Sequence, residues 1–455
     1  MAQAAVDRPG NRSQCAVFAL RQIGSRRGGC GAGIPCARCC RLDRVAPDNR
    51  EECILAGDVR LTASDNAEYS MDLRDPQNNG IERKARICMA TWRGFSKAAF
   101  RCGLYEAQDV LMEIDDVDLI SLEPGRMFRF KERWQRRLLW RDVTRKLIYV
   151  NPGLHPFRLE REYDLFVVVC QSWADLLYLN AVKGWKDHCR ISVCYIDELW
   201  AREIPNNRYW MHRLMEFDHV ILGLRGSVAA VEKKIGRACH YVPGGVDAIR
   251  FSPYPEPPER VIDVYSIGRR WEGVHQRFLQ LAAERKIFYM YDTFCGASAA
   301  DVEVSSHRQH REFLANAAKR SRFFQVGPAK MDSLRQTGGQ IEIGYRFFEG
   351  AAAGAVLIGQ VARCESFDRL FNWPDAVIEI QPDGSDVLDV LSGLAAEPER
   401  LEAMSRRNAA EALLRYDWVY RWRHILEIAG VKPTMAMEAR ESRLSELAEM
   451  ARAST

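Results

Sequence analysis

No apolar run in the 455 residues approaches the roughly 18 needed to cross a bilayer. The start also lacks the basic-then-apolar order of a secretory signal. These absences lead us to expect a soluble, cytoplasmic protein with no integral membrane segment. A strong excess of one charge is missing too: 65 Lys and Arg stand against 61 Asp and Glu, a formal net charge of +4. A nucleic-acid footprint needs a concentrated basic face, so no nucleic-acid partner is expected. Lysine is absent before Lys84 and histidine before His155. Four closely spaced cysteines, Cys30, Cys36, Cys39 and Cys40, therefore have no histidine near them. Cys36 and Cys39 form a CxxC, but no second pair stands at finger-like spacing. Residues 1–83 show no sustained helical or strand period and read as a disordered Arg- and Cys-rich extension. A second reading of this stretch is that translation starts later, at Met71, shortly before the first clear strand. The one dense acidic run, Asp115, Asp116 and Asp118, precedes a strand and reads as a solvated turn, so no metal site is expected. Solenoid-length repeats are absent.

Apolar residues make up 47% of the chain and aromatics 10%, enough for sizeable cores in two or three domains. From Lys84 short β-branched runs alternate with amphipathic segments. Arg86–Ala90, Leu119–Leu122, Leu147–Val150, Leu165–Cys170, Ile191–Tyr195, His219–Gly223 and His240–Val242 read as strands. Lys131–Arg145 reads as a basic amphipathic helix carrying Trp134 and Trp140, and Trp173–Ala181 as another helix. Tyr241–Arg260, with its glycines and five prolines, breaks the pattern. The alternation then restarts with strands at Val261–Ile267, Phe288–Tyr291, Phe323–Val326, Ala355–Ile358 and Ala376–Ile380. Strands alternating with helices mean parallel sheets covered on both faces. We therefore expect an α/β protein of two Rossmann-like, doubly wound domains facing across a cleft. The divisions are an extension at 1–83, a first domain at 84–243, a linker at 244–260, a second domain at 261–430 and a charged helical tail at 431–455. The eight cysteines after residue 84 are scattered, several inside apolar runs, and read as small buried hydrophobes.

Ligands of such sheets bind outside the carboxyl ends of the strands. Asp197 and Glu198 follow one strand of the first domain, as Gly94 follows another, and His155 lies in a Pro-flanked loop. Gly268, Arg269 and Arg270 follow the first strand of the second domain. The most informative stretch is Gln340–Gln360, QIEIGYRFFEGAAAGAVLIGQ. It reads as a helix from Tyr345, a break at Gly354, and a buried strand. Arg346 and Glu349 lie three apart on one face of that helix. An arginine in a first helical turn opposes the helix dipole, which favours anions there. On the residues alone two readings stand: a surface ion pair worth a few tenths of a kcal/mol, or an arginine waiting for an anionic ligand.

Four motifs in order resemble those of two-domain glycosyltransferases of the GT-B fold. YVPGGVDAIRFSP (Tyr241–Pro253) is similar to their linker, SIGRR (Ser266–Arg270) to the strand and loop opening the second domain, GYRFFEGAAAGAVLI to its donor-binding helix, and RYDWVYRWRHILEI (Arg415–Ile428) to the closing helix. Arg346, Phe348 and Glu349, followed by Ala351–Gly354, resemble most the spore-maturation (CgeB-like) group. The resemblance covers roughly Lys84–Gly430. It implies a metal-independent enzyme, without a cofactor, that moves a sugar from a nucleotide-sugar donor to an unknown acceptor. It further implies that Arg346, beside Tyr345, holds the diphosphate at the helix N-terminus, where free N–H groups and partial positive charge favour it. Glu349 would accept from the ribose hydroxyls, with Gly350 permitting close approach. Arg269, with Gly268 and Arg270, would neutralise charge on the leaving diphosphate. Many retaining relatives carry two glutamates eight apart. Here Ile341 stands eight before Glu349 and Glu342, counted with the donor-binding residues, seven before, so retention or inversion stays open. Asp197 and Glu198 are candidate general bases, or an ordinary acidic pair at a helix start; Gly94 and His155 are placed on the acceptor side. Two other classes remain: a scaffold protein on this fold with degraded donor recognition, and a GT-B-shaped epimerase or phosphorylase.

Overall fold

The computed structural model describes residues 85–139, 142–205, 208–293 and 302–453. The Arg- and Cys-rich extension with Met71, together with Trp140 and Cys295, lies outside the described residues.

Two parallel sheets organise the unit Gly80–Thr455. The first contains β1 (Ile87–Thr91), β2 (Val117–Ser121), β3 (Tyr163–Cys170), β4 (Cys189–Ile196), β5 (His219–Leu222) and β6 (His240–Tyr241), in the order β2-β1-β3-β4-β5-β6. The second contains β7 (Ile262–Ser266), β8 (Tyr289–Tyr291), β9 (Ser321–Val326), β10 (Val356–Gly359) and β11 (Ile378–Glu379), in the order β8-β7-β9-β10-β11. Both sheets begin 2-1-3-4-5, the flavodoxin-like doubly wound order. The topological switch therefore falls between β1 and β3 in the first sheet and between β7 and β9 in the second.

The unbroken apolar runs of the sequence are explained by burial on two faces. Along β3, Leu165, Val167 and Val169 enter one core while Phe166, Val168 and Cys170 enter another. Along β10, Leu357 faces one core and Val356 and Ile358 the other. Cys88, Cys102, Cys170, Cys194 and Cys239 are buried and unbridged, as small hydrophobes.

The principal helices are α1 (Cys102–Ile114), α2 (Phe128–Leu138), α3 (Glu272–Ala283), α4 (His307–Lys319), α5 (Tyr345–Ala352), α6 (Pro398–Arg415), α7 (Trp418–Ile428) and α8 (Met435–Ala453). Gly354, at φ +64°, ends α5 as the break in the sequence suggested. Linker and closing helix are stitched together: Val246 N–H donates to Tyr416 C=O (3.0 Å) and Trp418 N–H to Val246 C=O (3.1 Å). From there the chain returns to the first half. Trp422 Nε1 donates to Ala107 C=O of α1 (2.7 Å). In α8, Arg440 pairs with Glu113 of α1, with Asp247 and with Asp417. Residues 435–453 thus form a packed helix, with Met437, Leu444, Leu447, Ala448 and Ala451 buried.

Three local expectations are corrected. Leu147–Val150 is no strand: Asp142–Tyr149 is 3-10 helical, and Ile148 alone of those four side chains is buried. A strand covered on both faces would bury them all, and β3 fills that place in the sheet. The basic helix runs over Phe128–Leu138 rather than 131–145. Trp173–Ala181 is 3-10 rather than α-helical.

Candidate active-site cleft

The loops leaving β7, β8 and β9 meet the start of α5 at the carboxyl edge of the second sheet. Gly268, at φ +80°, donates its N–H to Asp292 Oδ2 (2.9 Å). A Cβ on Gly268 would lie 3.6 Å from Arg346 Nη2, so the β7 loop and the first turn of α5 adjoin. A Cβ on Gly344 would stand 2.8 Å from Gly327 C=O, which brings the β9 loop to the same place. Gly344 precedes the helix with no side-chain cap, and the first turn of α5 holds no acid. A helix N-terminus of this kind favours an anion.

The sequence expectations are met unevenly. Arg346 stands in that first turn, its side chain about 30% exposed, and pairs with Glu349. Arg269 pairs with Asp332, and Arg270 with Asp292 while lying over the Tyr291 ring. Glu349 departs from expectation. The residue is 1% exposed, and Arg346 and Arg311 occupy its two carboxylate oxygens. Burial alone would raise the Glu349 pKa, but the two guanidinium groups outweigh it and bring the value down to about 2. The carboxylate is therefore a buried anchor for two arginines, not a group presented to a ribose. Gly350 likewise faces the sheet: a Cβ there would meet Leu357 Cδ2 at 2.6 Å and Phe324 Cδ1 at 2.8 Å. Its role is to let α5 lie close on β9 and β10.

Arg311 is the functional candidate that sequence reasoning missed. Its Nε and Nη2 donate to Glu106 of α1 (3.0 and 2.9 Å), and its Nη1 to Glu349. Burial disfavours its charge, yet the two carboxylates raise its pKa further. A relay Glu106–Arg311–Glu349–Arg346 thus ties the first half to the start of α5. The signal was present: Arg311, Leu314, Ala315 and Ala318 share the buried stripe of α4. An arginine on an inward stripe implies a buried partner.

From the first half, Asp197 follows β4, where Tyr345 of α5 meets it. It is buried, accepts from Tyr345 OH (2.5 Å) and Gln171 Nε2 (2.9 Å), and lies 3.4 Å from Tyr195 OH. Burial, aided by the neighbouring Glu198 charge, raises its pKa to about 7 against these hydrogen bonds. Tyr345 thereby joins the donor-side helix to the first sheet. Glu198 accepts from Trp200 Nε1 (2.8 Å) and pairs with Lys330 of the β9 loop (2.5 Å). Neither acid starts a helix; the next turn is the 3-10 segment Ala201–Glu203. Glu342 also departs from its donor-side expectation. Its carboxylate accepts from Gly226 N–H (2.8 Å) and Gln340 Nε2 (2.6 Å), so it fastens the loop before α5 to the first half. Burial raises its pKa.

Gly94 and His155 are not brought to Asp197. A Cβ on Gly94 would meet Leu122 C=O at 2.6 Å, and His155 N–H donates to Glu123 C=O (2.9 Å), so both flank the turn after β2. His275 bonds Tyr289 OH (2.8 Å). Trp92 packs on Tyr178, and Trp173 on Trp210. Among the described residues no group of three or more His, Cys, Asp or Glu side chains could hold a metal ion. No described helix is long and apolar enough to cross a membrane.

One comparison, with family models, bears on this arrangement. Residues 262–427 match the model of a family described as glycosyl transferase-like. This segment runs from β7 through α7 and contains the β7 loop, Arg311, Arg346 and Glu349. No curated protein matches the chain. Among solved structures, Anabaena HepE in complex with UDP-glucose is 11% identical, with a TM-score of 0.44, over 76% of this chain and 100% of that one. An alpha-glucosyltransferase in complex with UDP and a 13-mer DNA is 11% identical, with a TM-score of 0.46, over 76% and 99%.

Proposed function

We propose that this protein is a glycosyltransferase that binds a nucleotide-sugar donor at the start of α5 and transfers the sugar to an acceptor held by the first half. The carrying observation is the uncapped N-terminus of α5, with Arg346 and the Gly268–Arg270 loop beside it, inside a segment that matches a glycosyl transferase-like model. A diphosphate there would receive N–H groups from the helix and forks from Arg346 and Arg269. Arg269, paired on the surface with Asp332, exchanges that carboxylate for phosphate oxygens at little cost, because exposed pairs are worth about 0–1 kcal/mol. Asp197, with its pKa raised to about 7, is placed to take the acceptor's proton once the Tyr345 hydrogen bond opens. The reading includes membership of the CgeB-like group, a cytoplasmic location, and chemistry needing neither a metal nor a cofactor beyond the co-substrate.

The test is a thermal-shift screen against UDP-, GDP-, dTDP- and CDP-sugars, followed by nucleotide-release assays with and without chelator. Stabilisation by one nucleotide class, and turnover unaffected by chelation, is the expected result. If no nucleotide sugar stabilises the protein, a scaffold role replaces the enzymatic one. Nucleotide release without a glycosylated product would point to hydrolysis or epimerisation.

A further inference from the structure

We propose that the outward face of α2 is a docking surface for an anionic lipid bilayer. The helix reads FRFKERWQRRL. Its inward side is fixed by two residues seven apart. Phe128 packs on Phe95, and Gln135 Nε2 donates to Leu147 C=O (2.5 Å) and Val150 C=O (2.8 Å). Helical spacing then turns Met127, Phe130 and Trp134 outward along one stripe. They are 51%, 58% and 48% exposed, and the Phe130 and Trp134 rings lie 6.0 Å apart.

Around this stripe Arg126, Arg129, Lys131, Arg133 and Arg137 are exposed. None has an ion-pair partner among the described residues. The single acid of the helix, Glu132, is taken by Arg136 and Tyr178. The chain as a whole is nearly neutral, so this positive charge is local.

An apolar stripe flanked by unpaired cations matches the boundary of a bilayer. Aromatic rings settle among the acyl chains, and the cations meet anionic headgroups. A nucleic acid would use the cations but leave Phe130 and Trp134 in water. The helix starts next to the turn after β2, where Gly125 N–H donates to Gly153 C=O (2.9 Å). Docking would thus hold this edge of the first sheet near the lipid surface. The inference is independent of sugar transfer, since it rests on α2 alone.

The experiment is co-sedimentation of the full chain with vesicles of phosphatidylcholine alone and of phosphatidylcholine mixed with phosphatidylglycerol. Binding to the anionic vesicles only, weakened by salt, is expected. Arg129→Gln and Arg133→Gln should each weaken it about fivefold, and the double change Phe130→Ser with Trp134→Ser at least tenfold. All four side chains are exposed, so circular dichroism and Tm should stay unchanged and certify the fold. Absence of vesicle binding, equal binding to neutral vesicles, or binding insensitive to these substitutions overturns the proposal. So does duplex DNA that binds the same face more tightly than the vesicles and is unaffected by loss of Phe130 and Trp134.

Discussion

Glu349→Gln tests the buried relay most sharply. Glu349 is 1% exposed and serves two guanidinium groups. Its pKa falls from an ordinary 4.5 to about 2. At about 1.4 kcal/mol per unit, that shift favours the folded state by about 3 kcal/mol at neutral pH. Glutamine keeps the shape but loses the charge, and its NH2 faces one arginine donor against donor. Breaking one member of a buried pair costs about 3–5 kcal/mol, the same order. For the unit Gly80–Thr455, ~2.1 cal/mol/K per residue gives a slope of roughly 0.8 kcal/mol/K, hence a Tm drop of about 4 °C at pH 7. Because the folded pKa is depressed, this stability is full above the unfolded value and declines as pH falls towards 2. The contribution should shrink from about 3 kcal/mol at pH 7 to about 2 kcal/mol at pH 3.5. Calorimetry of both proteins at the two pH values measures it. A Tm shift below about 1 °C at pH 7, or a gap that widens on acidification, would refute the reasoning.

Asp197 behaves in the opposite sense. Its folded pKa is raised from 3.8 to about 7, so its stabilising contribution is full below pH 3.8 and lost as pH rises through 7. Asp197→Asn should therefore gain in Tm over the parent between pH 5 and pH 8, while abolishing transfer. Tyr345→Phe removes a donor to the Asp197 carboxylate, so the base deprotonates only at higher pH and the acidic limb of the turnover profile should move to higher pH. Trp422→Ala removes a side chain 2% exposed and its hydrogen bond to α1, and should cost about 3–5 kcal/mol in denaturant unfolding.

The fold was legible because β3 and β10 are apolar without alternation, and Gly354 and the Pro/Gly linker punctuate cleanly. Leu147–Val150 misled because four apolar residues carry no period, and only the sheet decides whether they pair. Positions set by local chemistry were readable: Arg346 in the first turn of its helix, Asp197 at its strand end. Glu349 was read as sharing a helix face with Arg346, whereas its burial and its second guanidinium partner were not legible. Its burial depends on Arg311 and Glu106, which lie 38 and 243 residues away in the chain and meet it only in three dimensions. Glu342 was ambiguous for the same reason, since Gly226 belongs to the other half.

The central claim is that the start of α5 binds the diphosphate of a nucleotide sugar. Its most direct measurement is calorimetric titration of the nucleotide sugar that stabilises the protein into wild type and Arg346→Ala. Arg346→Ala takes one of two guanidinium partners from buried Glu349, so Tm should fall, and affinity is compared at a temperature where circular dichroism shows both proteins folded; donor binding should weaken by roughly tenfold or more, the loss of a charged hydrogen-bond fork of about 1.5–3 kcal/mol. Equal affinity for both proteins, with the donor bound in full, would contradict the account.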